Sequence, residues 1–230
     1  MAAAPVKAGQ ATARFGRRYA PALQSRAVGA RWTIGLIGDA GSGKSTVRAW
    51  LGDRGAATLD GDAVVHDLLA RDRAVAGAIA GRFGAAVLEA GGGIDRAALA
   101  AIVFRDAEAL ADLERIVHPA VIAATRAWLA RADGDVAVVE AIKLVESGLH
   151  RAFDQLWLVT CDARERRARL AARGWSVGEI AARLGAGAPL APKLALANVV
   201  IDTSGPRQAT ERQLETSWEA VDRQMRQTSL

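Results

Sequence analysis

A lysine and two hydroxyls stand directly behind a bend of glycines in Gly41-Ser42-Gly43-Lys44-Ser45-Thr46. With Gly38 ahead of it, the stretch fits G-x-x-x-x-G-K-[ST], the phosphate-binding P-loop pattern. A triphosphate needs backbone N–H groups converging on its oxygens, which calls for glycines where the chain bends tightly. It also needs a helix N-terminus aimed at the anion. Lys44 is placed to reach the β and γ oxygens, and Ser45 to offer its hydroxyl to Mg²⁺. The context agrees. The apolar run Trp32–Ile37 reads as a buried strand, and Val47–Leu51 reads as the opening of a helix.

Carboxylates follow at a useful spacing. Asp60-Gly61-Asp62 ends a second strand, where residues at i and i+2 project to the same side. In phosphoryl transfer to a hydroxyl, one carboxylate can serve the Mg²⁺ shell and the other can accept the hydroxyl proton. We assign Asp60 to the metal side and Asp62 to the hydroxyl. A turn with a helix N-cap would use the same residue types. Glu140 closes a third strand and is a further candidate near the metal, with a solvated strand-end acid as the alternative. Arg164, Arg166, Arg167, Arg169 and Arg173 form a basic row after the fourth strand. Arg166, Arg169 and Arg173 share one helical face by spacing. Arg169 and Arg173 are the candidates for nucleotide contact, Arg169 also for neutralising charge on the transferring group. Arg82 and Arg96 are candidates for a second anionic substrate. His66, one helical turn past Asp62, is a candidate for substrate contact beside Asp60 and Asp62, whereas His118, before Pro119, reads as a structural residue at a helix start. No His/Cys cluster has metal-ligand spacing, so no structural zinc is expected.

The elements that must hold these residues form an alternating pattern. Strands are expected at Trp32–Gly38, Ala57–Asp60, Val136–Glu140, Gln155–Cys161 and Val199–Asp202. Helices between them imply an α/β fold with a five-stranded parallel sheet covered on both faces. Ligands then belong at the carboxyl ends of the strands. Residues from about 63 to 132 read as a helical insertion suited to a second substrate. Its apolar residues recur at helical spacing (Leu110, Leu113, Val117, Val121, Ile122), and Asp95 is a candidate N-cap. A mobile lid is expected at about 174–192.

Bulk properties bound the rest. The chain has 230 residues, 51% of them hydrophobic, enough for one α/β domain with a sizeable core. No apolar run approaches the ~18 residues that a membrane span needs. With one cysteine, Cys161, no intrachain disulfide can form, which fits a cytoplasmic setting. Cys161 itself reads as a buried thiol. The net charge of +5 comes from residues 1–31, which hold six basic side chains and no acid. The other 199 residues hold 24 basic and 25 acidic groups. The domain is therefore not basic, and nucleic acid is not an expected partner. Residues 1–31 read as a flexible basic extension, with a transit peptide or a start codon placed too far upstream as alternatives. A monomer is the default expectation.

Together these stretches resemble the dephospho-CoA kinase family over about Ile34 to Val221. The likeness runs through Ile34-Gly35-Leu36-Ile37-Gly38 into the P-loop, then Leu59-Asp60-Gly61-Asp62 with His66-Asp67-Leu68-Leu69. It continues in Arg82-Phe83-Gly84, Ile94-Asp95-Arg96-Ala97-Ala98-Leu99, Val103-Phe104 and Ile116-Val117-His118-Pro119. It ends in Lys193-Leu194-Ala195-Leu196-Ala197-Asn198, Val200-Ile201-Asp202 and Ser204-Gly205. The resemblance implies a P-loop kinase with core, helical CoA-binding domain and lid, moving the ATP γ-phosphate to the ribose 3′-hydroxyl of dephospho-CoA. Asp62 matches its catalytic aspartate, and Arg169 and Arg173 its lid-side arginines. Three places depart from the family pattern: Glu140-Ala141-Ile142-Lys143 where a proline and leucines are usual, Gly187 for a glutamine, and Thr203 for an asparagine. Lys143 would add a phosphate contact or face solvent. The alternatives are another small-molecule P-loop kinase, acting on a nucleoside monophosphate or sugar acid, and a non-catalytic nucleotide-binding regulator. Replacing Lys44 with Ala should weaken triphosphate binding and turnover together, as read by nucleotide titration beside a kinetic assay. A fully active variant would contradict the P-loop assignment.

Overall fold

The structure, a computed structural model, describes residues 32–185 and 189–228. The basic segment 1–31 and Gly187 lie outside the described residues. Five strands form one sheet: β1 (Trp32–Ile37), β2 (Ala57–Asp60), β3 (Val136–Glu140), β4 (Gln155–Thr160) and β5 (Val199–Asp202). Their order is β2-β3-β1-β4-β5, and every pairing is parallel. The inner strands are almost uninterrupted apolar sequence because helices cover both faces. The outer strands β2 and β5 are short and only partly buried, as sheet edges tend to be. The chain runs from β1 to β2 and β3 on one side, then crosses β1 to β4 and β5 on the other. The strand order therefore reverses at β1, where ligands of such sheets collect.

Nine α-helices are present among the described residues: α1 (Lys44–Gly52), α2 (Gly61–Arg71), α3 (Arg73–Phe83), α4 (Arg96–Val103), α5 (Ala107–Arg131), α6 (Ala163–Ala172), α7 (Val177–Gly185), α8 (Leu190–Leu196) and α9 (Arg207–Thr228). Aspartates start five of them. Asp60, Asp72, Asp95, Asp106 and Asp162 each accept backbone N–H groups of the first turn. Each such cap contributes about 1 kcal/mol, which matters for helices this short. Asp95 caps the helix that the sequence expected it to cap.

One core surrounds the sheet, built on Ile34, Leu36, Val138, Trp157, Ile201 and Leu214. A second lies among α2 to α5, built on Val75, Ile79, Val87, Leu99, Val103 and Val117. The helical region between β2 and β3 thus buries apolar residues of its own. Its long helix α5 packs against α2, α3 and α4.

Three local expectations need correction. His118 is not at a helix start, since α5 runs straight through it and Pro119. Proline removes one intrahelical hydrogen bond, but burial of Leu110, Leu113, Val117 and Val121 on one face of α5 outweighs that loss. Strand β4 stops at Thr160, so Cys161 falls in the following loop and is half-buried rather than enclosed. The first strand likewise ends at Ile37, one residue early, because the bend begins at Gly38. The segment expected as a lid contains α7 and α8 on either side of the undescribed residues.

Gly61 joins the two regions. A Cβ there would lie 2.8 Å from the Ala141 side chain and 2.9 Å from the Glu140 carbonyl, so α2 can start this close to β3 only with glycine. Gly61→Ala should cost roughly 1–3 kcal/mol of stability, the usual scale of overpacking. Urea denaturation measures it, and an unchanged midpoint would show that the contact is relieved cheaply.

Candidate active site

The site is assembled at the carboxyl ends of β1, β2 and β3. After β1 the chain bends through Gly38 to Gly43, and Gly43 adopts φ 89° immediately before α1. A side chain there would be strained and would crowd the Arg169 guanidinium at 3.2 Å. The bend therefore leaves the N-terminus of α1 open, with first-turn N–H groups that an anion can satisfy. Ser45 and Thr46 are exposed at this mouth, whereas Lys44 is withdrawn to 6% exposure. Its ammonium donates to the Asp39 carbonyl at 3.2 Å. Burial lowers the Lys44 pKa, and Glu140, Asp62 and Asp39 oppose that shift by favouring the charged form. Ser42 is 1% exposed, and its hydroxyl has no partner within the protein.

Several contacts brace the loop. Arg166 donates to the Ala40 carbonyl at 3.2 Å and pairs with Asp39 at 3.3 Å. Lys193 of α8, 3% exposed, pairs with the other Asp39 oxygen at 2.9 Å. Thr203 donates its hydroxyl hydrogen to the Ser42 carbonyl at 2.7 Å. Arg169 donates to the Thr203 hydroxyl and carbonyl at 2.9 and 2.6 Å. Arg169 and Arg173 border a cleft of about 570 Å³ that also touches Gly43, Ser45 and Thr46. Of the expected nucleotide contacts, Gly43, Ser45, Thr46, Arg169 and Arg173 border this one cleft. Of the basic row, Arg166 serves the loop and Arg169 the cleft.

On the other side, Asp62 borders a cavity of about 450 Å³ between α2, α5 and the end of β3. The wall is mostly apolar (Val65, Leu113, Val117, Leu144). Arg96, His118, Lys143 and Arg183 supply polar groups. The buried Thr125 hydroxyl also borders it, with no partner in the protein. Arg96 donates to Nδ1 of His66 at 3.1 Å, which leaves the His66 proton on Nε2 because a guanidinium cannot accept. Both stand beside Asp60 and Asp62 in an adjoining cleft. Burial raises the Asp62 pKa and Asp60 adds to the rise, while Lys44, Arg183 and a hydrogen bond from the Ile142 backbone counter it.

Arg82 is not brought to either cavity. It binds Asp112 at 2.5 Å and lies over the Phe83 ring. Lys143 faces the acceptor-side cavity but is paired with Glu114. Asp60 has two roles at once. Its Oδ1 caps α2, taking the N–H groups of Asp62 and Ala63, and its Oδ2 meets Arg48 at 3.4 Å. Arg48 also donates to Glu140 at 2.7 Å. Sequence reasoning gave no role to Arg48, Lys193 or Arg183. The one visible signal for Arg48 was a cation interrupting an otherwise apolar helix opening.

A phosphate cradle at the switch point of a parallel sheet, faced by the Asp62 carboxylate and a second cavity, defines a P-loop kinase. The profile of the dephospho-CoA kinase family matches residues 32–208. The dephospho-CoA kinase of Symbiobacterium thermophilum is 42% identical over 194 residues, covering 82% of this chain and 80% of that protein. That of Geobacter sulfurreducens is 38% identical, covering 80% and 96%. A crystal structure from Thermus thermophilus shares 34% identity with a TM-score of 0.70, over 83% of this chain and 97% of that one. The chain belongs to the dephospho-CoA kinase family.

The raised Asp62 pKa has a sign that can be checked. A base must be ionised, and burial holds Asp62 protonated to higher pH than its ordinary 3.8. With Asp62 as the base, turnover should therefore climb with pH through a limb lying above 3.8. The same shift makes Asp62 most favourable to folding at low pH, with that contribution lost as pH rises through its folded pKa. Asp62→Asn should remove the limb and lower turnover by roughly 10²–10⁴. A pH–rate profile with the limb intact in the variant assigns it to another group.

Proposed function

We propose that the chain transfers the γ-phosphoryl group of ATP to the ribose 3′-hydroxyl of dephospho-CoA, releasing coenzyme A and ADP. The observation that carries this reading is Asp62, which borders the acceptor-side cavity while feeling the Lys44 charge. A group in that place can take a proton from a hydroxyl on one side as phosphorus arrives from the other.

In this reading the N-terminus of α1 and Lys44 hold the β- and γ-phosphates. Arg169, fixed by Thr203, and Arg173 flank the nucleotide and offset charge on the transferring group. The acceptor lies in the cavity beside α2 and α5, its anionic parts near Arg96 and Lys143. The 3′-oxygen bonds to the γ-phosphorus as its hydrogen passes to Asp62 and the bond from phosphorus to the β,γ-bridging oxygen breaks. Both electrons of that bond leave with ADP. The helical region about 63–132 then acts as the acceptor domain, and the segment about 174–192 as a lid that excludes water.

Magnesium fits the donors available. Ser45, Asp60 and Glu140 offer hard oxygen atoms beside the cradle. No group of three or more His, Cys, Asp or Glu forms a complete metal cage among the described residues. That suits an ion held mainly by phosphate and water, with few protein ligands. When bound, Mg²⁺ supplies charge neutralisation at the β and γ oxygens.

No helix among the described residues is long and apolar enough to cross a membrane. A cytoplasmic enzyme acting on a small molecule, without nucleic acid, is the reading we favour. Purified protein with Mg²⁺-ATP should release ADP in a coupled assay when given dephospho-CoA. It should not do so with AMP, shikimate or gluconate. Release with one of these instead would move the acceptor, and release with none would favour a nucleotide-binding regulator.

A further inference from the structure

Asp60 and Glu140 are level with each other at the ends of neighbouring parallel strands. Strands lie about 4.8 Å apart, so two carboxylates in this relation repel unless a cation stands between them. Here the cation belongs to the protein. Arg48 lies one helical turn past Ser45, on the same face of α1. It donates from Nε to Glu140 at 2.7 Å and approaches Asp60 through Nη2 at 3.4 Å. Glu140 is almost enclosed, with side-chain exposure of 12%, against 26% for Arg48 and 39% for Asp60. Such a pair is poorly screened by salt. The remaining Asp60 oxygen already caps α2.

A guanidinium donates through every nitrogen and accepts nothing. It can neutralise these carboxylates but cannot help to ligate a metal, and its charge repels one. We propose that Arg48 is an internal counter-ion that competes with the divalent cation for Asp60 and Glu140, and so sets the metal concentration at which the nucleotide complex is completed. The inference rests on the metal–nucleotide reading given above. A cation arriving beside Ser45 meets carboxylates of which both Asp60 oxygens and Glu140 Oε2 are already engaged. It must draw Asp60 away from Arg48 or accept it only through an intervening water. Arg48 also keeps the buried Glu140 charge compensated while no metal is bound.

The test measures metal binding rather than turnover. Mn²⁺ is titrated into the full chain with a non-hydrolysable ATP analogue and followed by electron paramagnetic resonance. Arg48→Gln removes the charge but keeps a donor for Glu140, and it should bind Mn²⁺ about three- to tenfold more tightly, the scale of one partly screened like-charge repulsion. Arg48→Lys keeps the charge and should stay within about twofold of the unaltered protein. Unchanged or weaker Mn²⁺ binding by Arg48→Gln overturns the proposal. Should that variant fail to fold, the lysine variant decides: a loss of about tenfold or more would mean that the guanidinium braces the carboxylates for the metal. The unaltered protein separates this idea from the reading beneath it. Metal and nucleotide binding there, with no gain in Arg48→Gln, defeats only the competition. Absence of both from the unaltered protein defeats the competition and the kinase reading together.

Discussion

The Lys44 ammonium must be held out of water yet charged, and the architecture around it answers that constraint. A buried ammonium tends to lose its proton unless negative charge surrounds it. Glu140, Asp62 and Asp39 provide that charge from the end of β3, the start of α2 and the loop itself. Each of these acids then needs partners of its own. Asp39 is held by Lys193 and Arg166, and Glu140 by Arg48, so helices α1, α6 and α8 are tied to the same few carboxylates. The parallel sheet makes the arrangement possible because it delivers several strand ends to one edge.

The two sides of that edge differ in character. The nucleotide side is bordered by arginines, threonines and open helix N–H groups, and suits a highly charged ligand. The acceptor side is a mostly apolar hollow with a few polar groups at its rim, and suits a ligand of mixed character. Asp62 stands between them, partly desolvated and near the Lys44 and Arg183 charges. Removal of its proton is opposed by burial and assisted by Lys44, so its basicity depends on how the lysine is engaged.

Much of this was legible in the sequence because its signals are local. Strand boundaries followed apolar runs, the cradle followed glycine spacing, and Asp95 announced its helix. Legibility ended where contacts are distant in sequence. Arg48 meets Glu140 across 92 positions, and Thr203 meets Ser42 across 161. Arg82 looked equivalent to Arg96, yet it meets Asp112 of α5 while Arg96 meets His66 at the cavity. Pro119 misled for the opposite reason, since a local breaker was overruled by packing along the whole of α5.

Lys193 has a mechanical consequence. Its ammonium is enclosed and bonded to a carboxylate of the phosphate loop, so lifting α8 away would break that ion pair and leave Asp39 to Arg166 alone. Lys193 thus ties α8 to the phosphate loop. Arg183 of α7 borders the same cavity as Asp62. The phosphate loop and α8, 154 positions apart where they meet, therefore shift as one piece or part with an ion pair.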